Sequence, residues 1–251
     1  MTTLAEVSRE GILLAAGGRA LLLQLAHPAI GRGVARHSDF AGDPLGRLHG
    51  TLAYVYAIAA GTPGEVAAMR RIVNRAHAPV RGPGYSAMDP ELQLWVAATL
   101  YDSAIGMYTR VFGEPTDAEA LYRSYAVLGG ALQMPAELWP ADRAAFGRYW
   151  DAQLARLAVD DEVRAVERTL LGGATLPVPL RPLLPGVRAV TAALLPGRVR
   201  EEFRMAWSDR DQARVERRLA VASAAYRRLP LVVRSAPQRH YLRRVAALAR
   251  R

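Results

Sequence analysis

The groups with which this chain can do chemistry are five histidines, twenty-three carboxylates, a set of hydroxyls, and thirty-three basic residues that are all arginine. There is no cysteine and no lysine. Without thiols the chain builds no disulfide, zinc–thiolate site, iron–sulfur cluster or thiolate-ligated haem. Without lysine it has neither a Schiff-base nucleophile nor the lysine of a phosphate-binding loop.

Of the histidines, His77 in "VNRAHAPVRG" has the most telling position. Val66, Met69, Val73 and His77 follow one another at steps of three, four and four, which is one face of a helix and its apolar face. Pro79 disfavours helical geometry at Ala78, so His77 falls in the last turn. A histidine so placed is more often a core residue hydrogen-bonded to a carbonyl than a ligand, and spacing alone leaves both readings standing. A second pair, Arg47 and Thr51, stands at i and i+4 with Tyr54 and Ile58 continuing that side and Leu48, Leu52 and Val55 flanking it. By spacing alone it is either a surface row, the commoner case, or the polar rim of an apolar cavity.

The other histidines are His27, His37, His49 and His240, and none of the five has an acid three residues before it, so the Glu-x-x-His pairs of a di-iron bundle are missing. HExxH, G-x-S-x-G, G-x-G-x-x-G and Walker patterns are absent too. Hydrolase, kinase and dinucleotide-dependent chemistries lose their usual support. Haem stays chemically reasonable, since a neutral imidazole is its commonest protein ligand.

The elements that must position these groups read as helices. Asp43-Pro44 and Asp89-Pro90 are N-caps followed by proline at the first helical position, and "TPGE" at 62–65 and "TDAE" at 116–119 have the form of capping boxes. Segments of 3.6-residue spacing follow them, with no alternating β-branched run to compete. The expectation is an all-α fold of about ten helices in one domain spanning 1–251, long enough to bury roughly three quarters of its unfolded surface. The proline- and glycine-rich stretch 173–198 stays apolar and reads as a break within that domain. The most apolar segment, 11–30, is interrupted by Gly17, Gly18 and Arg19, which argues for a core helix and against a membrane span. The first residues carry acids and no basic region before an apolar run, so the expected location is cytoplasmic.

Charge is unevenly placed. Residues 181–251 hold 17 arginines and 5 acids, whereas 1–180 hold 16 and 18. A basic C-terminal third suits an anionic membrane surface, nucleic acid or an acidic ligand, and equally a plain solvated face.

The run "GGRALLLQLAHPAIGRGVARHSDFAGDPLGRLHGTLAYVYAIAAGTPGE", with "VNRAHAPVRG", "YSAMDPELQLWVAATLYDS" and "RLPLVVRSAP" after it, resembles the rubber oxygenase catalytic domain family. That family includes the latex-clearing proteins and the fungal enzyme that cleaves the farnesyl chain in mycophenolic acid biosynthesis. The resemblance spans roughly residues 10–240 in the family's order of blocks. It implies an all-helical protein enclosing a pocket for haem b, with His77 as the proximal iron ligand and Arg47 and Thr51 lining the distal side.

The implied activity is that of a haem-dependent oxygenase. It would use dioxygen on a hydrophobic, unsaturated or isoprenoid small molecule, with Arg47 either polarising oxygen or pairing with a propionate. The resemblance also marks a departure. Latex-clearing proteins carry a lysine before that threonine that can close the sixth iron position, and this chain has Gly50 there. Two other classes compete: a haem sensor or carrier without turnover, and a basic helical protein that binds nucleic acid or a membrane surface, with His77 merely in the core. Nucleic acid is not the expected partner, and for the basic third peripheral membrane contact and a plain solvated face both stand.

Overall fold

A computed structural model describes residues 2–37, 44–173 and 178–250, without the side chains of His37, Pro44, Leu45 and Arg47. Thr3 caps the short helix α1 (Leu4–Ser8). The apolar run that follows folds as a 3-10 segment (Gly11–Ala16), α2 (Gly17–Leu25) and α3 (Pro28–His37). Pro28 cannot supply the N–H that would continue α2, and the chain bends by 98° there. Leu22, Leu23, Leu25 and Ala26 are at most 1% exposed, so this run is core. Among the described residues no single helix is long and apolar enough to cross a membrane.

Arg19 sits inside this apolar segment because its guanidinium is fully used. Nε donates to Leu194 O at 2.8 Å, Nη1 to Ser103 Oγ at 2.8 Å, and Nη2 pairs with Asp102 at 2.5 Å. The same group lies 5.6 Å from the Trp150 ring.

Two long helices then form a hairpin, α4 (Pro44–Ala60) and α5 (Pro63–His77), joined by Gly61 and Thr62 alone. Thr62 closes the expected capping box, its Oγ1 accepting from Glu65 N while Thr62 N donates to Glu65 Oε2 at 2.8 Å. Asp43, the expected cap of α4, lies outside the described residues. After α5 a two-residue ladder pairs β1 (Arg81–Gly82) with β2 (Tyr85–Ser86), and Gly84 turns between them at φ 77°, a conformation that glycine adopts without strain.

Asp89 caps α6 (Pro90–Phe112), a helix about 35 Å long by its rise per residue. It packs against α2 on one side, and Trp95 Nε1 donates across that interface to Leu23 O at 3.2 Å. Beyond it come α7 (Ala118–Tyr125), α8 (Val127–Gly130), α9 (Arg143–Leu154) and α10 (Asp161–Gly172). Tyr101, Tyr122, Tyr125, Trp139 and Phe146 interlock here, with ring centroids 5.0–6.1 Å from Tyr101.

The start of α7 corrects one expectation. Thr116 does not cap it; Asp117 does, accepting from Ala120 N at 2.9 Å, and Glu119 pairs with Arg123 at 3.5 Å instead of reaching back. A carboxylate is the stronger acceptor at the positive end of a helix.

The stretch 173–198 is a helical part of the same body, not a linker, in its described portion. A 3-10 segment (Val178–Leu183) leads into α11 (Leu184–Leu194), which packs on α2, α10 and α13. The chain ends with α12 (Gly197–Glu202), α13 (Asp209–Arg227), α14 (Leu231–Arg234) and α15 (Ala236–Ala249). Eleven of these α-helices have eight residues or more among the described residues, and the only strands described are β1 and β2. The protein is all-α, with a group of helices around α6 and α2 that shares one core with a three-helix layer in which α15 lies against both α4 and α5.

His27, just past α2, is half-buried, with Nδ1 out of reach of any hydrogen-bond partner and its ring 6.5 Å from Trp95. Burial, with Arg156 adding to it and Asp89 opposing, lowers its pKa below the usual 6.5. The unfolded chain then binds the proton more readily, so the stabilisation is complete above about pH 6.5 and is lost as pH falls through the lower folded value. A His27→Gln variant should show a flatter fall of Tm than the wild type between about pH 6.5 and pH 5 in thermal melts; identical slopes would remove His27 from the account.

Candidate functional site

The short link at Gly61-Thr62 makes α4 and α5 run back along each other, and the two helices are packed together. His77 lies 14 residues beyond Pro63 and Arg47 lies 13 before Ala60. At about 1.5 Å per residue both sit about 20 Å from the link, at the open end of the hairpin. Thr51 is four residues, about one turn, nearer the link on the same side as Arg47. The helical hairpin therefore brings to one end the three residues that were separate in the sequence.

On α5 the inward stripe is as spacing requires. Met69 is 2% exposed, and Val66 and Val73 pack against the core. His77 is the last residue of the helix, half-buried, with its Nδ1 shielded from solvent. Its carbonyl accepts from Val80 N at 2.9 Å, which ties the helix end to the strand pair.

On α4 the row beginning at Thr51 passes from surface to core. Thr51 is exposed, whereas Tyr54 and Ile58 are each 8% exposed, and the Tyr54 hydroxyl donates to Leu128 O. Burial pushes that hydroxyl's pKa well up. The Arg47 side chain lies outside the described residues. Exposed apolar side chains are present on both helices. Leu48 is 48% exposed and Ile72, on α5, 43%, while a Cβ added at Gly50 would meet nothing within 4 Å.

A contact that spacing did not suggest lies on the other side of α4. His49, between Arg47 and Thr51 in sequence, is turned about 200° from each and faces α15. Its Nδ1 is 2.5 Å from the Tyr241 hydroxyl, and Tyr241 stacks on Tyr56 with centroids 5.5 Å apart. Burial raises the pKa of Tyr241, and it pushes Tyr56 up to about 12. The phenol is held neutral in this way, and its hydrogen bond with the imidazole anchors the first turns of α4. Tyr241→Phe should leave His49 Nδ1 unpaired and cost about 1 kcal/mol in urea unfolding; a variant as stable as wild type would show that the anchor is idle.

A groove of about 770 Å³ opens elsewhere, along α6 and α9, lined by Arg19, Asp102, Ser103, Arg110, Glu114 and Arg143 among others. Neither His77 nor Thr51 contributes to it. Its charges are largely paired: Arg19 with Asp102 at 2.5 Å, Arg143 with Glu114 at 3.8 Å, and Arg110 with Glu216, outside the groove, at 2.5 Å. No three side chains among His, Cys, Asp and Glu converge as a metal-ligand group among the described residues.

Two mycobacterial proteins are similar along most of their length. The uncharacterized protein Rv2237 of Mycobacterium tuberculosis (strain ATCC 25618 / H37Rv) is 35% identical over 222 residues, covering 84% of this chain and 87% of that protein. The uncharacterized protein Mb2261 of Mycobacterium bovis (strain ATCC BAA-935 / AF2122/97) aligns with the same identity and coverage. No solved structure matches. A family model described as "ER-bound oxygenase mpaB/B'/Rubber oxygenase, catalytic domain" matches residues 5–228, and the chain belongs to that family.

Proposed function

We propose that the protein is a haem b-dependent oxygenase acting with dioxygen on a hydrophobic, unsaturated or isoprenoid small molecule, with its site at the open end of the α4–α5 hairpin. The observation that carries the proposal is the gathering of His77, Arg47 and Thr51 at that end. Family membership supplies the oxygenase class.

The residues suit haem better than a bare ion. A protein-bound ion needs several converging side chains, and none converge among the described residues. Haem iron needs only one or two, and a half-buried neutral imidazole is a common one. With Nδ1 shielded from solvent, Nε2 is the nitrogen through which His77 would hold the iron. Leu48, exposed and about 60° round α4 from Thr51, offers apolar contact to a flat ring.

Bound haem would supply the centre at which dioxygen is activated. The chain's own residues would do the rest. Arg47 would offer up to five N–H donors, either to a haem propionate or to dioxygen. Thr51, one helical turn away, offers a hydroxyl that donates or orders a water. Exposed apolar side chains such as Leu48 would offer contact to a hydrophobic substrate.

The test is reconstitution with haem followed by oxygen-electrode measurements with an isoprenoid alkene. The expected results are a Soret band and oxygen uptake that depends on the alkene. A Soret band without uptake would favour a haem sensor or carrier, and no Soret band would end the haem proposal.

A further inference from the structure

The described side chains of α13 to α15 include five consecutive apolar residues, Leu229 to Val233, all exposed, at the corner where α13 gives way to α14. Leu229 is 41% exposed, Leu231 42%, Val232 62% and Val233 50%, and Val221 on α13 reaches 72%. Scattered single apolar residues on a surface are ordinary; five in a row on a protruding turn are not. Pro230 ends α13 and opens α14, which keeps this corner a tight turn.

The surroundings of the corner are basic without exception along the chain. From Arg217 to Arg251 the sequence has ten arginines and no acid. Arg227 and Arg228 precede the apolar run and are exposed, and Arg239 reaches back to it, with Nη2 donating to Val232 O at 2.6 Å. Arg243 and Arg244 continue the exposed charge along α15, and Arg217 and Arg218 flank Val221. Arg234 does not belong to this face, because it is paired with the buried Glu10 at 3.1 Å.

We propose that this corner docks on an anionic lipid bilayer, with Leu229, Leu231, Val232 and Val233 entering the interface and the arginines pairing with lipid phosphates. An apolar tip ringed by arginine is the pattern of an interfacial anchor, in which apolar burial and attraction to acidic lipids add. The alternatives use only half of it. A nucleic-acid backbone would engage the arginines and leave the apolar run in water, and a second copy bound by the same patch would set two cationic faces against each other. The docked corner lies close to the hairpin, since Tyr241, which contacts His49 of α4, is only five residues into α15. The docking itself does not depend on haem, and its test uses none.

The test is co-sedimentation of the full chain with vesicles of phosphatidylglycerol and phosphatidylcholine against vesicles of phosphatidylcholine alone, alongside size-exclusion chromatography and duplex DNA binding. Wild type should partition at least about tenfold more strongly to the acidic vesicles, as expected for several surface arginines. Val232→Asp and Arg228→Glu should each weaken that partition several-fold while leaving the thermal melt unchanged, since both side chains are exposed. Equal binding to both vesicle types, or acidic-vesicle binding unaffected by Val232→Asp, overturns the proposal. So does dimerisation that Val232→Asp abolishes without any vesicle binding, or DNA binding that ignores Val232→Asp with no lipid partition.

Discussion

Replacing His77 by alanine should abolish the Soret signature of an imidazole-ligated iron and take oxygen uptake down by at least about 10³-fold, the order expected when an essential catalytic element is lost. The fold should survive it. His77 is half-buried at the very end of α5, so alanine removes few core contacts, and Met69, which anchors the helix inside, is untouched. Imidazole added to the variant should restore part of the spectrum by occupying the vacated position. His240→Ala, at an exposed residue on α15, is the control and should change neither spectrum nor uptake. An unaltered spectrum in His77→Ala would mean that another group holds the iron.

The second large effect is on stability. Arg234→Met should destabilise the protein by about 3–5 kcal/mol, the usual result of removing one partner of a buried ion pair. Glu10 is 4% exposed, and both of its carboxylate oxygens accept from Arg234 Nη1 at 3.1 Å. The Tyr226 hydroxyl donates to the same carboxylate at 3.0 Å, and the guanidinium lies 5.5 Å from the Phe112 ring and 5.9 Å from Tyr226. Methionine keeps much of the stem's packing and leaves the carboxylate with the phenol and a distant Arg9 at 3.8 Å. Glu10→Gln/Arg234→Met together should recover much of the loss, because the uncompensated buried charge is gone. Urea unfolding of the three variants gives the coupling directly, and additive losses would refute it.

The sequence displayed the local half of this architecture. Caps at Thr62 and Asp89 and the stripe Val66, Met69, Val73, His77 all depend on residues within a turn or two of one another, and the structure has each of them, whereas the single core helix expected over 11–30 is broken at Pro28. The hairpin that brings Arg47, Thr51 and His77 to one end follows from two helices of similar length and a two-residue link. What stayed hidden is long-range. His49 meets Tyr241 across 192 residues and Glu10 meets Arg234 across 224, and no periodicity connects such pairs. Arg19 looked like a flaw in an apolar helix because its partners, Asp102, Ser103 and Leu194, come from two other elements. The shift of a cap from Thr116 to Asp117 turned on which of two adjacent acceptors won, a difference too small for a pattern to reveal.

The pairing of α4 with α5 works as a pair of calipers. Each arm is a rigid rod, of 17 and 15 residues, and the hinge is two residues long. Lengthening the hinge only spreads the arms, but adding or deleting one residue anywhere between Pro63 and His77 would swing the imidazole by about 100° and shift it by about 1.5 Å. His77 would then leave the stripe that Met69 defines. Length variation among relatives of this chain should accordingly be tolerated at Gly61-Thr62 and be selected against within either arm.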